Sequence, residues 1–480
     1  MVLAATGFRE YDARWRFPDD IDAEGMTRLG LGLGTQMIER GLAPDIVCGH
    51  DFRSYARGVQ EALMEGLVSA GITVHDIGMC VTPMAYFAQI HLGKPAVAMV
   101  TASHNPNGWT GVKMGFEAPL THGPDDMARL KAIVLGDEGI RRPGGRIVAV
   151  DGVRAAYLDD LAAGVTLTRP IRAVVATGNG TASAFAPELL ERIGVEVIPR
   201  HTELDWTFPH YNPNPEALEM LHDMADAVRE TGADIALGFD GDGDRCGVVD
   251  NDGEEIFADK VGLILARFYA AAHPGARFVV DVKSTGLFAT DPVLAANGAT
   301  TDYWKTGHSH MKRRVHALGA LAGFEKSGHY FFGAPIGRGY DDGLRTAVEI
   351  CRLLDASPDR SMADLERDLS RTWITPTLSP FCPDTEKYGV VDRLAARLAA
   401  RKAEGGQLAG RAITEIITVN GARVMLENGG FGLIRASSNT PNLVVVCESP
   451  ESEAEMRAIF ADLDALIRTE PSVGAYDQTI

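Results

Sequence analysis

Several things are scarce or missing in this chain of 480 residues. No stretch approaches the ~18 consecutive apolar residues that a membrane helix needs, so no membrane association is expected. Positive charge is in deficit, with 46 Lys and Arg against 65 Asp and Glu and a net charge of −19. Phosphate backbones want clustered cations, so nucleic acid is not an expected partner. The six cysteines at 48, 80, 246, 351, 382 and 447 form no CxxC pair. A cytoplasmic chain with reduced thiols is therefore expected. The opening residues MVLAATGFREY hold neither a basic n-region nor a long apolar core, which argues against a secretory signal. Histidine pairs at hydrolytic-zinc spacing and a GxSxG elbow are also absent.

What is present is an ordinary globular composition, 45% hydrophobic and 23% charged. At about 150 residues per domain the length predicts three to four domains. Three stretches share a pattern: residues 45–78, 171–200 and 276–307. Each opens with a β-branched run, crosses a polar loop, enters helical apolar spacing, meets a glycine (Gly71, Gly194, Gly298) and resumes a strand-like run. The glycine suits a position just past a helix C-terminus, and the whole suits a βαβ unit. From about Trp373 the character changes. Residues 414–427 (TEIITVNGARVMLE) predict a hairpin with a type I′ turn at Asn420-Gly421. The expected fold class is α/β: three similar α/β domains (1–150, 151–255, 256–372) and a smaller α+β domain (373–480).

The strongest local signal is GFDGDGDRCGVV at 238–249. Asp240, Asp242 and Asp244 alternate with glycines directly after an apolar run. Three carboxylates so close repel one another, and a hard cation is the usual remedy. An EF-hand loop is excluded, because Arg245 and Asn251 stand where Gly and Glu belong. An aspartyl-phosphate phosphatase, with Asp240 as nucleophile, stays open, and so does a solvated acidic turn. The loop VTASHNPNGWTGVKMG (100–115) places Ser103 and His104 after an apolar strand, with Lys113 just beyond. A serine on a rigid loop beside a base and a cation can carry a phosphoryl group.

FEKSGHY (324–330) sets Glu325, Ser327 and His329 on alternate positions. As an extended segment it would turn all three one way, toward sugar hydroxyls. LIRASSNTP (433–441) offers Arg435 with hydroxyls in a turn, a natural phosphate clamp. Lys283 in DVKST and His308 in WKTGH follow strands of the third repeat. GNGTAS (178–183) reads as a structural crossover, and the glycines of GLGLG (30–34) as close helix packing.

FREYDAR (8–14), TASHNP, DGDGDR, KTGHS, EKSGH and RASSNTP occur in this order. Together they resemble the α-D-phosphohexomutase family, closest to its bacterial phosphomannomutase/phosphoglucomutase branch. The resemblance implies four domains around a central cleft, with a mobile fourth domain. It implies reversible transfer between the 1- and 6-positions of a hexose phosphate, mannose and also glucose, through a phosphoserine and a 1,6-bisphosphate. By it Ser103 carries the phosphoryl group, and Mg²⁺ is held by Asp240, Asp242, Asp244 and that serine. Arg14, His104, Lys113, Arg245 and His329 would act in catalysis, His329 as acid/base. Tyr11, Lys283, Gly307, His308, Glu325 and Ser327 would contact the substrate, and Arg435, Ser437, Asn439 and Thr440 its non-reacting phosphate. A hexose 1,6-bisphosphate is the implied activator, a phosphosugar the implied partner, and a monomer or weak homo-oligomer the expected state. Phosphoglucosamine mutase is the nearest alternative within the family. Trp15, where relatives commonly have Gly, departs from the pattern, as does Phe324.

Overall fold

The computed structural model describes residues 1–438 and 440–478. In the first segment β1 (Ala13–Arg16), β2 (Asp45–His50), β3 (Thr73–Met79), β4 (Ala96–Val100), β5 (Trp109–Phe116) and β6 (Arg146–Ala149) form a sheet ordered β1-β5-β4-β2-β3-β6. Strands β4, β2, β3 and β6 are parallel, whereas β5 runs antiparallel to both β4 and β1. The all-apolar β4 is buried along its whole length, as a central parallel strand requires. Helices α1 (Ala23–Glu39), α2 (Ala56–Ser69), α3 (Thr82–His91) and α4 (Pro124–Gly136) complete the segment. The GLGLG glycines lie inside α1, as expected. A Cβ on Gly30 would stand 2.0 Å from the Leu63 carbonyl oxygen, and one on Gly66 of α2 would stand 1.9 Å from that of Thr27. The two backbones touch because neither side carries a side chain there.

The second segment holds α5 (Val153–Ala162), β7 (Arg172–Ala176), α6 (Ala186–Arg192), β8 (Glu196–Arg200), α7 (Leu218–Thr231), β9 (Ile235–Phe239), β10 (Cys246–Val249) and β11 (Glu255–Ile256). Its sheet order is β11-β10-β9-β7-β8. GNGTAS is the crossover expected, and it also braces a neighbour: Thr181 donates its N–H to the Gly241 carbonyl (3.1 Å). The third segment runs α8 (Ala258–Ala272), β12 (Arg277–Asp281), α9 (Leu287–Thr290), α10 (Pro292–Ala296), β13 (Thr300–Trp304), α11 (His308–Leu318), β14 (Ala322–Phe324), β15 (Tyr330–Phe332), α12 (Gly343–Asp355) and α13 (Met362–Arg367). Strand β12 pairs parallel with both β13 and β14. The repeat's helix is broken in two here, because Pro292 offers no N–H and Asp291 caps the amides of Val293 and Leu294. Gly71, Gly194 and Gly298 have φ of 83°, 97° and 65°, just past their helices.

The last segment is a sheet of β16 (Trp373–Ile374), β17 (Gln407–Leu408), β18 (Arg411–Ile417), β19 (Ala422–Leu426), β20 (Phe431–Ala436) and β21 (Leu443–Ser449), ordered β16-β21-β20-β19-β18-β17. It carries α14 (Lys387–Ala403) and α15 (Glu453–Ile467). The predicted hairpin exists as β18–β19, but its turn is not type I′. Only Gly421 has positive φ (86°), and Asn420 keeps the ordinary sign that a longer loop permits.

By compactness the chain forms two units, Met1–Val261 with Ser327–Asp364, and Gly262–Lys326 with Leu365–Ile480. The first unit holds one core on the β1–β6 sheet and a second around β7, β9 and α7. The second unit holds a core between α14, α15 and the β18–β21 sheet. On the other face of that sheet Val282 packs with Met425, Phe431, Leu433, Val444 and Val446. Among the described residues no helix is long and apolar enough to cross a membrane.

Candidate active site

The first unit gathers the loop after β4 and the turn between β9 and β10. Thr101 Oγ1 donates to Asp51 Oδ2 (2.8 Å) and accepts the Ser103 amide (2.9 Å). Arg53 pairs with Asp51 and donates through Nη2 to the carbonyls of Ser103 (2.9 Å) and Asn105 (2.6 Å). These bonds hold Ser103 at φ 53°, a left-handed conformation that costs a non-glycine residue about 1 kcal/mol. The Asn212 side chain bonds the His104 carbonyl from the other side. Asp51, Arg53, Thr101 and Asn212 were not singled out by the sequence. The DFRS run after β2 carried the only hint, polar residues at the carboxyl end of a parallel strand.

Strand β9 is wholly buried and delivers Asp240, Asp242 and Asp244 into a turn where none is exposed. The expectation of a closed acidic loop at a strand end holds, and the solvated turn does not. Ser103 Oγ donates to Asp240 Oδ2 (3.2 Å) and lies 3.3 Å from His104 Nδ1. Lys113 Nζ bonds Asp242 Oδ2 (2.8 Å) and Asp244. Thr82 at the start of α3 adds its hydroxyl to Asp242 Oδ2 (2.5 Å).

Burial, then the charges of Asp242 and Asp244, push the Asp240 carboxyl well above the ordinary range. For Asp242 burial works the same way, but the Lys113 ammonium outweighs it and keeps the group far below that range. Burial likewise opposes the charge of Lys113, and Asp242 and Asp244 reverse it. His104 is held well below its usual value by Arg245 first, then by burial and Arg14. Oxygens of the three aspartates lie within 4.8 Å of one another. Asp242 Oδ1 and Asp244 Oδ1 are buried with no hydrogen-bond donor. Such oxygens are costly unless something positive meets them, so the trio fits a hard divalent cation.

Around this centre stand other residues expected in the first unit. Arg14 of β1 pairs with Asp12 (2.8 Å) and faces the same side of the sheet as Lys113, since it stands opposite Gly111 in register. Its neighbour Trp15 points the other way, into the core, donating Nε1–H to Ala4 O (2.8 Å). The departure at Trp15 therefore fills the core and leaves the Arg14 face unaltered. Tyr11 is buried in the preceding turn. Arg245 donates Nε–H to His329 Nε2 (3.0 Å) and pairs through Nη1 with Glu216 (2.9 Å). His329 Nδ1 faces Asp341 Oδ2 at 3.0 Å. Donation to Nε2 and a carboxylate at Nδ1 fix the Nδ1–H tautomer. Asp341 was also missed, although GYDDG places two acids in a turn.

One expectation fails. EKSGH is not extended: residues 326–328 turn, with Gly328 at φ 89°. Alternation therefore does not align Glu325, Ser327 and His329, and the chain passes from one compact unit to the other between Lys326 and Ser327.

In the second unit Asp281, at the end of β12, joins three loops. It accepts Ser284 Oγ (2.6 Å), Thr306 Oγ1 (2.8 Å) and the Lys326 amide (3.2 Å). Those loops carry Lys283, Gly307 with His308, and Glu325. Glu325 Oε1 accepts the Gly307 amide (2.8 Å), and Lys312 Nζ lies 3.2 Å from His308 Nδ1. The residues that the sequence marked in the third repeat as site candidates thus come together around a carboxylate that it did not flag. Separately, Arg435, the penultimate residue of β20, sets Nη1 on the Ala436 carbonyl (2.9 Å). Ser437 Oγ accepts Thr440 Oγ1 (2.8 Å) and the Thr440 amide (3.3 Å). Asn439 lies outside the described residues.

Four family descriptions match the chain: phosphoglucomutase/phosphomannomutase alpha/beta/alpha domain I at residues 5–139, domain II at 155–253, domain III at 257–372, and the C-terminal domain at 382–466. A phosphomannomutase/phosphoglucomutase of Pseudomonas putida is 34% identical over 470 residues, 97% of this chain and 96% of its own length. A phosphoglucomutase of Neisseria gonorrhoeae is 34% identical over 97% of each chain. The crystal structure of a phosphoglucomutase/phosphomannomutase family protein from Burkholderia thailandensis superposes with a TM-score of 0.88 at 30% identity, covering 98% of this chain and 99% of its own.

Proposed function

The chain belongs to the phosphoglucomutase/phosphomannomutase family and is a hexose-phosphate mutase; from that premise we propose the following division of labour among its residues. Ser103 Oγ carries the phosphoryl group. The free hydroxyl of a hexose monophosphate attacks that phosphorus, the P–Oγ bond breaks, and a hexose 1,6-bisphosphate results. Ser103 Oγ then attacks the phosphorus at the other end of the sugar, which regenerates the phosphoserine and releases the isomer. A hexose 1,6-bisphosphate from solution would load an unphosphorylated chain, and so act as activator.

His329 is the acid/base group at the attacking hydroxyl. Asp341 Oδ2 stands 3.0 Å behind its Nδ1, and its Nε2 is freed for the proton when Arg245 turns from it to the phosphoryl oxygens. Arg245, Arg14 and Lys113 supply positive charge for the phosphoryl oxygens, and His104 adjoins the nucleophile as a neutral imidazole. Asp240, Asp242 and Asp244, with the oxygen on Ser103, would hold Mg²⁺. When bound, that ion neutralises charge on the transferring phosphoryl group. Hard oxygen donors support magnesium over a softer metal.

Tyr11, Lys283, Gly307, His308, Glu325 and Ser327 bind the sugar, and Arg435, Ser437, Asn439 and Thr440 the non-reacting phosphate. The substrate is mannose phosphate and glucose phosphate, a reading supported by relatives named for both. Neither a phosphoglucosamine mutase nor an Asp240-nucleophile phosphatase is favoured by these comparisons. The segments 1–150, 151–255, 256–372 and 373–480 are taken as its four domains. A cytoplasmic monomer or weak homo-oligomer, with no membrane or nucleic-acid partner, accords with the net charge of −19 and the six buried free thiols.

The observation that carries this reading is the 3.2 Å contact between Ser103 Oγ and a carboxylate of the buried trio. It is tested by ³¹P NMR of the protein with mannose 1-phosphate, then glucose 1-phosphate, Mg²⁺ and a trace of glucose 1,6-bisphosphate. Signals of the 6-phosphates that vanish in Ser103→Ala are expected. Inorganic phosphate as the product, with Ser103→Ala fully active, would sink the assignment of Ser103.

A further inference from the structure

Arg423 is the second residue of β19, with 0% of its surface exposed. Its guanidinium lies between two rings, 3.5 Å from the Phe431 centroid and 4.1 Å from that of Tyr303. From there Nη1 donates to the carbonyls of Val282 (2.6 Å) and Ser284 (2.7 Å). These are the two carbonyls that flank Lys283. A second buried group of the same sheet takes over where Arg423 stops. Glu448 of β21 accepts Thr285 Oγ1 at Oε1 (2.8 Å) and the Gly286 amide at Oε2 (2.6 Å). Tyr303 adds its hydroxyl to the Thr285 carbonyl (2.7 Å).

Core filling alone does not call for this arrangement. A buried guanidinium costs desolvation energy, and an apolar residue of similar volume commonly packs at least as well. What an apolar residue cannot do is hold two carbonyls that face one point, which fixes the bend of the chain between them. The apolar layer of Val282, Phe431 and Leu433 already supplies adhesion. Arg423 adds direction: it fixes where the Lys283 Cα–Cβ bond points. It also stands opposite Leu433 in register, on the strand adjoining the one that bears Arg435.

We infer that Arg423 is a positioning residue for substrate binding, which holds the backbone on both sides of Lys283 so that its ammonium meets the phosphosugar, with Glu448 completing the grip. The inference rests on Lys283 being a substrate contact, as proposed above. Arg423 itself touches no reacting atom in this account.

The test is a double-mutant cycle on the full-length chain: wild type, Arg423→Met, Lys283→Ala and the double variant. Each is assayed with glucose 1-phosphate at saturating Mg²⁺ with glucose 1,6-bisphosphate, and kcat is normalised to folded protein by near-UV circular dichroism. Arg423→Met is expected to raise KM about tenfold with a smaller change in kcat, and to cause no further loss once Lys283 is gone. A weld that only stabilises the fold would lower the folded fraction and leave KM alone. Losses that multiply in the double variant overturn the inference while leaving Lys283 as a contact. Wild-type kinetics in Lys283→Ala overturn the assignment of Lys283, and the inference with it. If Arg423→Met does not fold, Arg423→Lys and Glu448→Gln replace it, with a KM increase expected only where Lys283 is present.

Discussion

Asp342 is the N-cap of α12, and its protonation should set the pH dependence of that part of the molecule. It accepts the Arg345 amide (2.9 Å), and the buried Tyr157 hydroxyl of α5 lies 3.0 Å from both its oxygens. Burial outweighs these bonds and raises its pKa from 3.8 to about 7. A group whose folded pKa is raised contributes its full stability below the unfolded value, and loses it as pH climbs through the folded one. The shift of about three units corresponds to about 4 kcal/mol lost between acid and alkaline limits. Part of that loss is complete by pH 5, so about 2 to 3 kcal/mol remains between pH 5 and pH 8. Asp342→Asn keeps a capping carbonyl and carries no charge, so it escapes the loss. Guanidinium unfolding of wild type and variant at both pH values isolates the effect, since all other titrations cancel in the difference. The variant should gain on wild type by about 2 to 3 kcal/mol from pH 5 to pH 8. A difference that stays constant with pH would show that Asp342 ionises normally in the folded chain and refute the reasoning.

Three other outcomes follow from the same geometry. Asp242→Asn takes one charge from the trio and from Lys113, so half-maximal activity should require at least about tenfold more Mg²⁺; EDTA should abolish wild-type turnover and Mg²⁺ restore it. Arg53→Lys loses the fork on the Ser103 and Asn105 carbonyls and should lower kcat by about 10- to 100-fold with little change in KM, as steady-state kinetics would show. Gly30→Ala drives a methyl into the Leu63 carbonyl and should cost about 1 to 3 kcal/mol, seen as a lower melting temperature with activity per folded molecule preserved.

Much of the site was legible because its loops are punctuated. DGDGDR and TASHNP each follow a short apolar strand, and glycines or a proline mark where the chain turns. Strand ends and loop residues therefore fell where pattern placed them. EKSGH misled for the opposite reason. Its alternating polar residues imitate a strand, and its one signal of a turn, Gly328, is indistinguishable in sequence from a strand glycine. The residues that hold the site were largely invisible. Arg53 reaches 50 residues along the chain to Ser103, and Arg423 reaches 141 to Val282. Neither lies in a motif, and an isolated buried arginine has no periodicity to betray it. Asp281 looks like the polar end of a strand until three loops are seen to converge on it.

That convergence bears on how the enzyme could change its diet. Ser284, Thr306 and the Lys326 amide all spend a bond on one carboxylate. A substitution that moves any one loop leaves the other two with a misplaced acceptor. On the sugar-binding role proposed for these loops, preference is inherited as a block: grafting the EKSGH loop from a relative, without the segments around Lys283 and His308, would disturb all three loops to alter one. Laboratory evolution toward a new hexose should accordingly find its early gains in side chains that leave the Asp281 bonds intact, and reach the loop backbones only through coordinated replacement.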